Sequence, residues 1–128
     1  MEKHIGEALA IIGQKMGFTN FTTNVLGMIH LSISNIGELF IDVQQPNIFL
    51  YLLNEFQVMN FELISTAYIF CEPKANYNFT TNPVLQGESA LGFAIRIGEE
   101  YFTPIALEEA INQLIDMASR LKQFAKHL

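Results

Sequence analysis

Ala90-Leu91-Gly92-Phe93-Ala94-Ile95-Arg96-Ile97, then the turn Gly98-Glu99-Glu100, then Thr103-Pro104: this stretch decides the fold. Leu91, Phe93, Ile95 and Ile97 alternate with Ala90, Gly92, Ala94 and Arg96, the period of a strand with one bulky and one small face. The small face lets another backbone or a helix come close. Thr103 is placed as an N-cap and Pro104 at the first helical position. Leu107, Ile111, Leu114, Ile115, Ala118, Leu121 and Ala125 then form one stripe of an amphipathic helix. Glu108 and Glu109 near its start and Lys122 and Lys126 near its end suit the helix dipole. Asp116 and Arg120 are spaced to pair.

Working outward, residues 2–16 fit a first helix, with Ile5, Ala8, Leu9, Ile12 and Met16 on one stripe and Gly17 as its C-terminal cap. Three short strands follow. Ile29, Leu31 and Ile33 alternate with Met28, His30 and Ser32. After the turn Asn35-Ile36-Gly37, Leu39, Ile41 and Val43 alternate with Glu38, Phe40 and Asp42. After Gln45-Pro46-Asn47 comes a wholly apolar run over residues 48–53. Such alternation describes antiparallel strands with one buried face. Phe61, Ile64, Tyr68 and Cys71 have helical spacing behind a capping Asn60, although residues 67–71 are also strand-like. Pro73 stops that element, and residues 74–82, rich in Asn and Thr, read as a loop. Val84-Leu85 opens a fourth strand, and Gln86-Gly87-Glu88 turns into the fifth. The expected fold is α+β, one domain over residues 1–128. Its core is an antiparallel twisted sheet of about five strands, in the order α-βββ-α-ββ-α.

Half of the 128 residues are hydrophobic and 16% are charged, a composition that folds. The mean hydropathy of +0.25 is high for a soluble monomer, so some apolar surface is expected to need a partner. Seven Lys and Arg against thirteen Asp and Glu leave a net charge of −6. The cations make no basic stripe, which argues against nucleic acid and against a polybasic membrane anchor. The longest apolar run is too short to span a bilayer, no signal peptide is evident, and one cysteine suits a reducing compartment. The expected location is the cytoplasm. Asn20-Phe21-Thr22 and Asn78-Phe79-Thr80 are then chance sequons.

No catalytic, metal or cofactor motif emerges. His4 and His127 lie in terminal turns and His30 in a strand, without Cys or His at ligand spacing. Glu99-Glu100 and Glu108-Glu109 are adjacent in sequence and do not face one another. Cys71 has no activating neighbour, and Ser89 lacks a nucleophile-elbow context. The expectation is a protein that binds rather than catalyses, with no cofactor.

The informative residues are apolar ones on the wrong side of the strands. If Leu39, Ile41 and Val43 face the core, Phe40 faces outward, and Met28 shares an outer face with His30. Either Phe49, Tyr51 and Leu53 or Ile48, Leu50 and Leu52 must also point away from the helices. Two explanations follow. The sheet is covered on both sides or at a dimer interface, or it offers a groove for an extended peptide that pairs at an edge strand.

The order of elements, the length, the acidity and the last helix resemble the class I chaperones of bacterial type III secretion, the Tir-chaperone family. Two stretches carry the likeness. One is Ala8-Leu9-Ala10-Ile11-Ile12-Gly13-Gln14-Lys15-Met16-Gly17-Phe18. The other is Leu91-Gly92-Phe93-Ala94-Ile95-Arg96-Ile97 with Thr103-Pro104 and its helix. The likeness spans nearly the whole chain and rests on degenerate apolar patterns, and residues 55–82 depart most from it. It implies a cytoplasmic homodimer without catalysis. The dimer would hold the N-terminal chaperone-binding segment of a secreted effector in extended form, soluble and ready for the secretion ATPase. It places effector contacts at Ile5, Met28, Phe40 and Phe49, and dimer contacts at Phe61, Ile64, Tyr68 and Val84. Two other readings compete: a regulatory protein-interaction module of the same architecture, and an α+β domain that binds a small molecule between helix and sheet.

Overall fold

The computed structural model describes residues 2–17, 27–73 and 77–128, with side chains from Ile5 onward. Helix α1 (Glu2–Met16) leads into strands β1 (Met28–Ile33), β2 (Gly37–Gln44) and β3 (Asn47–Glu55). Helix α2 (Phe61–Phe70), strands β4 (Thr81–Gln86) and β5 (Ala90–Gly98), a 3-10 turn (Glu99–Tyr101) and helix α3 (Pro104–Ala125) complete the chain. The sheet is antiparallel throughout, in the spatial order β1-β2-β3-β5-β4. The expected order of elements is the observed one.

Local chemistry sets the helix starts. Thr103 Oγ1 accepts the Ala106 N–H at 3.1 Å, and Asn60 Oδ1 accepts the Leu63 N–H at 2.9 Å. Residues 61–70 are therefore helix, and the strand alternative for residues 67–71 falls. Gly17, at φ +76, closes α1 with its N–H on Gln14 O. Asp116 and Arg120 pair at 3.3 Å along α3.

The core lies between one face of the sheet and the helices. Ile29, Leu39, Ile41, Ile48, Leu50, Leu52, Leu91, Phe93, Ile95 and Ile97 meet Ile5, Leu9 and Ile12 of α1, Leu63 of α2, and Leu107, Ile111, Leu114 and Leu121 of α3. This settles the open choice on β3: Ile48, Leu50 and Leu52 face in, and Phe49, Tyr51 and Leu53 face out.

The fourth strand starts earlier than expected. Thr81 pairs with Ile95 and is buried, so the ladder begins there and not at Val84. Residues 77–80 before it are loop, as expected, and this loop is latched onto α3. Tyr77 donates its hydroxyl to Asp116, Asn78 donates to Glu109, and Gln113 takes both backbone groups of Phe79, at 3.2 and 2.8 Å. Glu109, Gln113 and Asp116 recur every turn of one helix face, a spacing that apolar periodicity does not reveal. Desolvation and Asp116 push the Tyr77 hydroxyl up to about 12. Gln113 is 7% exposed, so Gln113→Ala strands the part-buried N–H and C=O of Phe79. We expect a loss of about 1–3 kcal/mol in urea unfolding.

Candidate functional site

The helices cover one face of the sheet, and the opposite face carries the features of a binding surface. Cross-strand register sorts its side chains into rows. Met28, Asp42, Phe49 and Arg96 form the first row. His30, Phe40, Tyr51, Ala94 and Asn82 form the second, and Ser32, Glu38, Leu53, Gly92 and Val84 the third. Six of these are large and apolar or aromatic, in positions that alternation alone would assign to water. Met28, Phe40, Tyr51, Leu53, Val84, Leu85 and Gln86 line one depression of about 320 Å³. It reaches from the β1 side of the sheet to the β4 edge.

Ring stacking and a small polar cluster shape this surface. The His30 ring lies flat on Phe40, with centroids 4.3 Å apart at 13°, and Phe49 stacks on Tyr51 at 6.3 Å and 5°. His30 Nε2 is 2.8 Å from Glu38 Oε1, which also accepts the Ser32 hydroxyl at 2.7 Å. The Ser32 bond, and then that of His30, hold the Glu38 carboxyl below the usual carboxylate range. Burial, and secondarily the charge of Asp42, raise the Tyr51 hydroxyl above its ordinary value. Asp42 itself is only 8% exposed, and it accepts a hydrogen bond from the Gln44 side-chain amide.

A second apolar surface lies on α2. Phe61 is 83% and Tyr68 57% exposed, with Val58 and Ile69 also exposed. Leu63 and Ala67 turn inward while Phe61, Tyr68 and Ile69 face out, so α2 is apolar on more than its packed face, and Glu62 is its only charged residue. An exposed apolar patch of this kind is the usual mark of a contact surface.

Met28 and Phe40 thus stand on the outer face, where alternation put them, and Phe49 joins them there by the register that settles β3; each is half-buried by its neighbours. Phe61, half-buried Ile64 and Tyr68 all lie on α2. One placement needs correction. Ile5 is 3% exposed within the core, because it belongs to the same stripe of α1 that packs inward; among the described α1 residues the exposed large apolar side chain is Ile11. Val84 pairs with Gly92 and faces the outer depression, which Leu85, next to it on the edge strand and 55% exposed, also borders. Leu85, Gln86 and Asp42 escaped the sequence reading. Only the β4–β5 register reveals the first two, and only burial singles out the third.

The described residues contain no cluster of three or more His, Cys, Asp or Glu suited to a metal. Burial raises the Cys71 thiol above its ordinary value, opposed by a hydrogen bond with Thr81, so the thiol is not activated. No described helix is long and apolar enough to cross a membrane.

No family model and no curated protein matches the sequence. Solved structures do match. SchA, in the HopA1–SchA chaperone–effector complex, superposes with a TM-score of 0.72 at 11% identity, covering 91% of this chain and 91% of that one. The type III secretion chaperone SycH of Yersinia pestis, bound to a stable fragment of YscM2, gives 0.70 at 13%, over 91% and 98%. YbjN of E. coli, titled a putative transcription regulator, gives 0.62 at 13%, over 90% and 86%. The chain adopts the fold of the class I chaperones of type III secretion.

Proposed function

We propose that this protein is a cytoplasmic, non-catalytic homodimeric chaperone of a type III secretion system. It binds the N-terminal chaperone-binding segment of a secreted effector and hands it, unfolded, to the secretion ATPase. The observation that carries this reading is the apolar depression on the sheet face opposite the helices. It lies on a fold shared with chaperones solved in complex with other proteins. An acidic chain with that surface, and with no catalytic cluster among its described residues, is suited to shielding apolar segments.

The two sheet edges are unequal. Edge strand β4 carries Pro83 at its centre, which removes a donor and blunts strand addition there. Edge strand β1 has no proline, so an extended segment pairs at β1 and sets its side chains beside Met28 and Phe40. The test is co-expression with candidate secreted proteins, followed by affinity capture and mapping of the protected segment. In that assay Phe40→Glu is expected to weaken capture more than tenfold, with the thermal midpoint held within a few degrees. Unfolding of this variant would instead make Phe40 part of the core.

The likeness to YbjN favours a second reading, a regulatory protein-interaction module on the same fold. Under it, the captured partner would be a protein that is never secreted.

A further inference from the structure

Asp42 is a carboxylate in an apolar setting. Its neighbours across the sheet are Met28 on β1 and Phe49 on β3, and its charge reaches Tyr51, which lines the depression. Arg96 belongs to the same row but lies beyond Phe49, about 10 Å away at the usual strand spacing. Among the described residues Asp42 has no cation within ion-pairing distance, and the Gln44 amide is its hydrogen-bond partner. A carboxylate that is more than nine-tenths buried and unmatched by a cation is expensive to keep. Nothing in the core requires it, because it stands on the outer face. Among the described residues of that face, Glu38 is held by His30 and Ser32, Glu55 by Ser89, and Arg96 lies beyond Phe49, so none of them neutralises Asp42.

We propose that Asp42 is the specificity determinant of the outer face: it receives a Lys or Arg from the bound segment. The preferred partner is therefore an apolar stretch carrying one basic side chain, set so that its cation reaches Asp42 while its apolar neighbours fill the depression beside Met28 and Tyr51. This rests on the chaperone reading for the use of the face, and it adds the chemistry that the face selects. An uncharged segment would cover the carboxylate without a partner, which discriminates against it as strongly as the cation favours the correct one. The net charge of −6 adds long-range attraction for such a segment.

The test compares the wild-type protein with Asp42→Asn, which keeps the side chain's shape and its acceptor for Gln44. Both are panned against random peptides displayed on phage. Peptides selected by the wild type should be apolar with an enriched Lys or Arg. Those selected by Asp42→Asn should be equally apolar without that enrichment. For a selected peptide, Asp42→Asn should weaken binding about tenfold or more, and replacing the peptide's basic residue by norleucine should abolish the difference between the two proteins. Asp42→Asn should also melt no lower than the wild type, since it removes an unmatched charge. Equal enrichment of basic residues by both proteins, or a lower melting point for the variant, overturns the proposal. Failure of both proteins to select apolar peptides would instead count against the outer face as a binding surface.

Discussion

Gly92→Val is expected to abolish folding, and Gly92→Ala to lower the urea midpoint sharply. Gly92 sits in β5 opposite Leu53, inside the ladder that joins β5 to the central strand β3. A Cβ added there would lie 1.8 Å from the Leu52 carbonyl oxygen and 2.9 Å from Leu53 Cα. Both obstacles are backbone, held by hydrogen bonds on both sides, so neither strand yields without losing ladder pairing. Overpacking a core ordinarily costs about 1–3 kcal/mol, with side chains doing the yielding; a collision with backbone belongs at or above the top of that range. Total stabilities of roughly 5–15 kcal/mol leave little reserve against such a loss. Gly6 is the control. It lies exposed in α1 with nothing within 4 Å of an added Cβ, so Gly6→Ala should stabilise by about 0.5–1 kcal/mol through helix propensity. A Gly92→Ala protein as stable as the wild type would show that β3 and β5 separate easily.

The double substitution Phe61→Glu with Tyr68→Glu is expected to turn a dimer into a monomer. The wild type at micromolar concentration should scatter light with twice the 14.5 kDa chain mass, and the variant with that mass once. Phe61 and Tyr68 lie two turns apart on α2, and both are exposed. Burying two aromatic side chains at an interface is worth several kcal/mol. Placing two carboxylates there adds repulsion across a two-fold axis, because each meets its own copy. The loss in dimer affinity should exceed a hundredfold, about 2.7 kcal/mol. The folded state should persist, since α2 anchors itself through Leu63 and Ala67 and these are untouched. A wild-type chain of monomeric mass would refute the dimer directly.

Much of the fold was legible in local patterns because local forces set it. Alternation over residues 28–33, 37–44 and 90–97 placed three strands and their inward faces, since a pleated strand has no freedom to mix its two sides. Thr103-Pro104 placed the start of α3, because a cap satisfies backbone groups whatever lies elsewhere. The site was only partly legible. The outward positions of Met28 and Phe40 followed from alternation, that of Phe49 was one of two alternatives, and Ile5 did not follow from helical spacing. A stripe shows which residues of α1 share a face, and packing against α3 decides that this face is buried. The β4 boundary was misplaced for a similar reason. Residues 77–80 are held by Gln113, Glu109 and Asp116, more than thirty positions away.

By itself, then, the sequence determined an acidic α+β chain, the order of its elements, and a strand-to-helix unit over residues 90–125 that serves as scaffold. Tertiary structure alone decided that five strands line up as β1-β2-β3-β5-β4. That order sets Met28 near one edge and Val84 and Leu85 at the other, bordering a single depression. It alone decided that Asp42 is buried among apolar neighbours and that Gly92 leaves no room for a methyl group. The physical reason is common to all of these. Periodicity encodes which way a side chain points along its own element, whereas burial, charge pairing and steric room depend on which other element the chain brings alongside.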